Sequence, residues 1–220
     1  IMESIKNGHE LVACAHLCPS PMKQQPNKGE KEAMKDEEEK EDEEEESYMY
    51  QTAASECVPT LVKECLGVPL VMIDIAGKSR DTSLVYDHHN HQDSNVKGTC
   101  ENDEVEDLYL LLQYVLKLYP DIKAVSSGAI LSTYQRTRIE SVCDRLNLTP
   151  LSYLWRIAPQ RELLERMLGD GIDAVLVKVA SPPGLIPHKH LNKSLSTLLY
   201  GGILDRLRDL YDVHTCGEGG

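Results

Sequence analysis

The chain contains no phenylalanine and a single tryptophan, Trp155, among its 220 residues. It is also short of positive charge: 23 Lys and Arg stand against 36 Asp and Glu, a formal net charge of −13. A general nucleic-acid binder needs Lys and Arg for its phosphate contacts, so this balance argues against one. No apolar run approaches the roughly 18 residues that a membrane-spanning helix requires. No segment patterned like a secretory signal opens the sequence. Paired Cys-x-x-Cys units are absent, which argues against a zinc ribbon. The seven cysteines are odd in number and irregularly spaced, and several sit in apolar segments, where a thiol behaves as a small hydrophobe. A reducing, cytoplasmic compartment is the expectation, with no membrane and no direct nucleic-acid partner. The hydrophobic share of 41% is too high for wholesale disorder.

The charge that is present is unevenly spread. Glu30–Glu46 holds twelve acids and three lysines, a net −9, which leaves −4 for the other 203 residues. This run lies in an acidic, low-order insertion expected over residues 19–46, and a second polar insertion is expected over residues 77–102. Between them the pattern alternates. Ile1–Lys6 reads as the end of a helix with Ile1, Met2 and Ile5 on one face, and Leu11–Leu17 and Leu70–Ile75 read as apolar strands separated by a helical Tyr48–Leu66. Asp103–Tyr119 is an amphipathic helix stopped by Pro120. Ile122–Ser126 is a strand, Ile130–Asn147 a helix, Leu151–Leu154 a short strand, and Pro159–Leu168 a helix closed by Gly169. Ala174–Ala180 reads as a strand buried on both faces. Ser194–Tyr211 is a helix weakened by Gly201–Gly202, and Val213–Cys216 is a last strand. Apolar strands alternating with helices give an α/β fold, a parallel sheet with helices on both faces. Ligands of such sheets bind beyond the carboxyl ends of the strands.

Several motifs fall there. Ser126-Ser127-Gly128-Ala129 opens where a strand ends and a helix begins, so its backbone N–H groups can meet an anion. Arg136 and Arg138, one to two turns on, can add bidentate contacts, although a capped helix with a solvated basic face fits equally well. Glu104-Val105-Glu106-Asp107 starts a helix, where the carboxylates can hold a ligand, but Asp103 with Glu106 also fits a capping box. Cys216-Gly217-Glu218-Gly219-Gly220 presents one acid among glycines, which favours close backbone approach. His88-His89-Asn90-His91 reads as a solvent-exposed loop, and no metal ligands are assigned. Trp155 beside Arg156 is a core residue with a surface charge or the wall of a binding site.

In this order, these residues resemble the diphthine–ammonia ligase (diphthamide synthase) family of the PP-loop ATP pyrophosphatase group, whose fold is the adenine nucleotide alpha hydrolase-like, or HUP, domain. The segment Ser127–Glu140 looks like the family's second signature. Glu104–Leu108, Leu154-Trp155-Arg156, Gly171–Ala180, Lys189-His190-Leu191 with Lys193 and Leu195, and Cys216–Gly220 also match. The resemblance is dense over Glu104–Gly220 and patchy before it. It implies ATP-dependent amidation of diphthine on elongation factor 2 with ammonium, through an acyl-adenylate that releases pyrophosphate and AMP. ATP is the implied cofactor, with Mg²⁺ beside it. Nucleotide contact falls to Ser127, Gly128, Ala129, Arg136 and His16. Substrate contact falls to Tyr134, Gln135, Arg138, Gly217 and Gly219, and the catalytic role to Glu106 and Glu218. The family's Ser-Gly-Gly-Lys-Asp-Ser phosphate loop is not in the sequence. With Ile1 first and Gly220 closing directly after a strand-like run, the expectation is a partial ligase domain over residues 1–220, incomplete at the N-terminus and inactive or crippled as it stands. The alternative is a degenerate nucleotide-binding relative that acts as a non-enzymatic interaction module. A PP-loop tRNA modifier is disfavoured by the lack of paired cysteine motifs and of a basic RNA surface.

Overall fold

Nine of the expected elements begin within three residues of where their sequence signals put them. In the computed structural model, which describes residues 1–19, 49, 54–84, 86, 103–157, 159–179, 184–212 and 214–216, the chain starts with α1 (Met2–Lys6) and β1 (Cys14–Cys18). A helical stretch follows, beginning as a 3-10 turn at Ser55–Cys57, continuing as α2 (Val58–Leu61) and ending as a π turn at Val62–Leu66. Pro59 occupies its first α-helical turn, where a missing N–H costs nothing. Gly67, at φ +64, ends it in the left-handed conformation. Then come β2 (Leu70–Asp74), α3 (Glu104–Leu118), β3 (Ala124–Ser126), α4 (Thr133–Arg145), β4 (Thr149–Leu151) and α5 (Gln160–Gly169). The C-terminal part holds α6 (Pro187–His190), α7 (Leu195–Tyr200) and α8 (Ile203–Tyr211).

The strands pair in parallel, as an α/β fold requires. β1 pairs with β2 with Cys14 opposite Leu70, and β3 pairs with β4 with Ala124 opposite Thr149. The single sheet expected from the sequence is thus, among the described residues, two separate parallel pairs. The long helix α3 covers the first pair: Leu111 and Val115 pack on Leu17 and Val71. Its adjacent stripe, Val105 and Leu112, packs on Val142 of α4. One amphipathic helix therefore serves two clusters, and burial of each such aliphatic side chain contributes about 1.5–3 kcal/mol. A third cluster joins Leu164 of α5 to Leu198 and Leu199 of α7 and Leu204 of α8.

Three further expectations fail. Ala174–Ala180 is not a doubly buried strand: within residues 174–179 only Val175 forms a bridge, antiparallel to Ser194, and Val175 and Val177 are exposed. An apolar run without a neighbouring strand finds other donors, and here Leu176 and Ala174 bond to the returning Asn192–Leu195 segment. Thr215 and Cys216 form a turn rather than a strand, because the Thr215 N–H donates to the Gln160 side chain at the start of α5. The Ile1, Met2 and Ile5 face of α1 is exposed, and its buried residue is Ser4. The expected weak point in Ser194–Tyr211 is a true break: Gly202 adopts φ +71 and separates α7 from α8. The acidic insertion lies outside the described residues beyond residue 19. Among the described residues no helix is long and apolar enough to cross a membrane.

Candidate functional site

The carboxyl ends of β3 and β4 carry two loops tied to each other. The Ser127 N–H donates to the Leu151 carbonyl at 3.1 Å, extending the ladder, and the Arg156 N–H donates to the Ile130 carbonyl at 3.0 Å. Beside them the Ser126 and Ser4 hydroxyls meet at 2.9 Å, which seats α1 against the end of β3. The Ser127 hydroxyl is buried and has no hydrogen-bond partner among the described residues. A lone buried hydroxyl costs about 1–3 kcal/mol, a penalty that a ligand can remove. Next to it Gly128 is exposed, and a Cβ there would meet nothing within 4 Å, so the space over the loop is open. Ala129 is buried and anchors the loop. Ser132 then caps α4, its hydroxyl accepting from the Gln135 N–H.

Arg136, in the first two turns of α4, remains accessible. Its Nε donates to Glu140 at 2.6 Å, its guanidinium lies 4.8 Å from the Trp155 ring centre, and about a third of its side chain is exposed. Arg156, at φ +50, also lies over Trp155, at 5.2 Å. Trp155 is thus the stacking surface for two cations, which favours the binding-wall reading of this residue over simple core packing.

Other expected ligand-binding groups are already engaged. Arg138 is fully buried. It donates to the carbonyls of Tyr134 at 3.2 Å, Ser83 at 3.0 Å and Asp81, and lies 3.3 Å from the Tyr134 ring centre. It holds the residue 81–84 loop and cannot reach a substrate without leaving it. Tyr134 donates its hydroxyl to the Asp81 carbonyl, and burial pushes its phenol above the ordinary value. Gln135 donates its amide to the Met49 carbonyl. Glu106 accepts both terminal nitrogens of Arg145, at 2.8 and 2.7 Å, and the Tyr86 hydroxyl at 3.0 Å. A carboxylate held by a bidentate Arg is a structural anchor, so the capping box is half made: Asp103 caps α3 while Glu106 turns to Arg145.

The rest of the acidic helix start grips backbone. Asp103 accepts from Val105, Arg80 and Asp81, Asp107 from Ala76 and Gly77, and buried Glu104 from the Ser79 hydroxyl. Gly77 is required here, since a Cβ would lie 2.5 Å from the Asp103 backbone. Residues 77–84, expected as the start of an insertion, are therefore bolted to α3. His16 stands apart on the β1–β2 pair, its Nε2 2.7 Å from the Ser55 hydroxyl, and burial holds it below the usual imidazole value. The structure brings Ser127, Gly128, Ala129 and Arg136 together and leaves His16 on the other strand pair. Gly217, Glu218 and Gly219 lie outside the described residues, as does His88–His91. ATP fits the loop at one point, the unpartnered Ser127 hydroxyl beside open Gly128. Mg²⁺ takes most of its ligands from phosphate oxygens and water; among the described residues no three His, Cys, Asp or Glu side chains cluster, and the α3 acids are bonded to backbone N–H groups, Ser79 and Arg145.

A cleft of about 420 Å³, which no sequence motif marks, continues from this loop. Ile130, Leu131, Arg156 and Leu163 line it together with Arg161, Arg208 and His214. Asp205 bridges Arg161 and Arg208, so much of its charge is internally balanced. No local pattern pairs residues 44 apart, which is why this arrangement was invisible in the sequence.

Comparison with known proteins follows the same residues. A sequence profile of the diphthamide synthase N-terminal domain matches residues 90–150. Over its whole length the chain is 41% identical to a diphthine–ammonia ligase of Homo sapiens, 70% of which it covers. It is 42% identical to that of Rattus norvegicus, again covering 70%. A Schizosaccharomyces pombe diphthine–ammonia ligase is 40% identical over 223 residues, which span 30% of that longer protein.

Proposed function

The chain belongs to the diphthine–ammonia ligase family, and on that premise we propose that it amidates diphthine on elongation factor 2, in the cytoplasm, with ATP and ammonium. ATP supplies the activation, through an acyl-adenylate on the diphthine carboxylate with loss of pyrophosphate, and ammonia then displaces AMP to leave the amide. The observation that carries the reading is the loop after β3. Ser127 offers a buried hydroxyl with no partner among the described residues, and Gly128 leaves the approach to it open. The preceding strand and the capped start of α4 hold that loop rigid, as positioning a reacting group demands. Arg136 has the reach and charge to meet a phosphate oxygen. Its surface pair with Glu140 is worth well under about 1 kcal/mol, so exchanging partners is cheap. The tied loops of β3 and β4 keep both groups in register. Glu106 and Arg138 act behind them, as supports of α3, α4 and the 81–84 loop.

The test is direct amidation. The full-length protein, elongation factor 2 carrying diphthine, ATP and ammonium are combined, and conversion of the carboxylate to the amide is followed by mass spectrometry. Conversion should require ATP, and Ser127→Ala should raise the KM for ATP about tenfold, the loss of roughly one hydrogen bond. No ATP-dependent conversion by the wild-type protein would refute the ligase reading and leave the non-enzymatic one.

A further inference from the structure

The cleft that continues from the β3 loop has a one-sided chemistry. Among the described residues no Asp or Glu lines it, and its polar side chains are Arg156, Gln160, Arg161, Arg208 and His214. Each of these presents donors. The guanidiniums have no acceptor atom. The Gln160 Oε1 accepts the Thr215 N–H at 2.5 Å, which leaves the NH2 as the group it has to offer. His214 accepts the Cys216 N–H on Nδ1 at 3.2 Å, so its own proton sits on Nε2. Two carbonyls of lining residues are taken as well, that of Ile130 by the Arg156 N–H and that of Gln160 by the Cys216 thiol. A wall of donors is complementary to a group that only accepts, an ionised carboxylate or a phosphate.

Arg161 and Arg208 have their charge met by Asp205, Glu165 and Asp209, which pair with them without lining the cleft. The Arg156 guanidinium has no ion pair or hydrogen bond among the described residues. Exposed cations of that kind occur elsewhere, as at Lys117 and Lys123, so lack of a partner alone does not set it apart. Its position does. The Arg156 backbone is pinned at φ +50 by its N–H bond to Ile130, and its guanidinium lies on Trp155, the ring that also carries Arg136. One ring thus joins the cation of the β3–α4 loop to the cation of the cleft.

The remaining walls are apolar, with Ile130, Leu131 and Leu163. A bare phosphate gains nothing from them, whereas a carboxylate on an aliphatic arm buries that arm against them. Reaction geometry points to the same occupant. With ATP at the Ser127 loop, a carboxylate oxygen must touch the α-phosphorus, forming one P–O bond as the bond to pyrophosphate breaks. We propose that this cleft receives the carboxylate-bearing arm of the protein-borne substrate, with Arg156 holding the carboxylate beside the nucleotide. This rests on the reading that the chain activates that carboxylate with ATP at the β3–α4 loop.

Steady-state amidation by the full-length protein, with elongation factor 2 and ATP varied in turn, tests this. Arg156 is exposed, so Arg156→Gln and Arg156→Lys keep the fold, which an unchanged urea midpoint verifies. Arg156→Gln should raise the KM for elongation factor 2 about tenfold or more, the loss of a charge-assisted contact, and leave the KM for ATP within about twofold of wild type. Arg156→Lys keeps the charge without the planar fork and should fall between the two. Leu131→Trp, which narrows the cleft from an apolar wall, should raise the same KM. A KM for elongation factor 2 that moves less than about twofold in Arg156→Gln overturns the proposal. A KM for ATP that rises as much as that for the protein overturns it too, in favour of a phosphate in the cleft. Failure of wild type to amidate is a separate result, which removes the ligase reading. A synthetic peptide carrying diphthine then decides the cleft by calorimetric titration. Binding about tenfold weaker to Arg156→Gln than to wild type supports the pocket, and equal affinity, or no binding to either protein, refutes it.

Discussion

Arg138 offers a decisive measurement, because its residue type points to substrate binding and its surroundings point to structure. Arg138→Met removes the guanidinium and keeps most of the stem. The carbonyls of Tyr134, Asp81 and Ser83 then lose a charged donor. Hydrogen bonds to charged groups contribute about 1.5–3 kcal/mol each, so three amount to roughly 5–9 kcal/mol before costs. Two costs offset this. Burying a guanidinium takes several kcal/mol. The Arg138 Nε is also buried without a partner among the described residues, at about 1–3 kcal/mol. The substitution should therefore destabilise the protein by about 2–4 kcal/mol, in line with the loss usually seen when one member of a buried charged network is removed. With a urea m-value near 2 kcal/mol/M, the midpoint of unfolding should fall by about 1–2 M. Arg138→Lys should recover little, since an ammonium cannot bridge three carbonyls in a planar fork. A midpoint shift below about 0.5 M, accompanied by a raised KM for the protein substrate, would refute the structural role and restore Arg138 as a ligand contact.

Two further outcomes follow from titration and burial. His16 has a folded-state value below its unfolded one because burial disfavours its cation, so the unfolded chain protonates first as pH falls. Stability should decline on acidification from about pH 6.5 down through the lower folded value, and His16→Asn should flatten that part of the urea-midpoint profile; an unchanged slope would refute it. Burial pushes the Cys143 thiol up to about 11, whereas Cys57 and Cys65 are exposed. Iodoacetamide at mildly alkaline pH should therefore label Cys57 and Cys65 and spare Cys143 until the protein unfolds, as peptide mapping can show; early labelling of Cys143 would count against this packing.

Local signals were enough for the elements they govern. Asp103 before an apolar stripe and Pro120 after it delimit α3 almost to the residue, and Gly201–Gly202 marks the break between α7 and α8. Ala174–Ala180 failed because an apolar run records only that a segment is hydrophobic. Whether it becomes a buried strand depends on a neighbouring strand that the run itself does not encode. The same limit governed the site. The loop Ser127–Ala129 was legible because its chemistry is local: a strand end, a glycine and a helix start within a few residues. Glu106 and Arg138 were legible as charges but not as anchors. Their partners lie 39 residues downstream at Arg145 and 57 upstream at Asp81, and no spacing rule links them.

That division sorts the two charged signatures by what each charge can still do. The acidic helix start is rich in carboxylates, yet Asp103 and Asp107 hold backbone N–H groups, Glu104 holds Ser79 and Glu106 holds Arg145. Taking any of them for a ligand would strip the 76–81 backbone or the α3–α4 contact of its partner, at a cost of roughly 1–3 kcal/mol for each group left bare. The β3–α4 loop has the opposite economy. Ser127 has nothing to give up, and Arg136 gives up only a surface pair to Glu140. A phosphate contact by Arg136 is charge-assisted and worth more than that pair, so binding there gains on both groups. The loop after β3 therefore holds the groups that can take a ligand at least cost, and the carboxylates of α3 form the frame that keeps it in place.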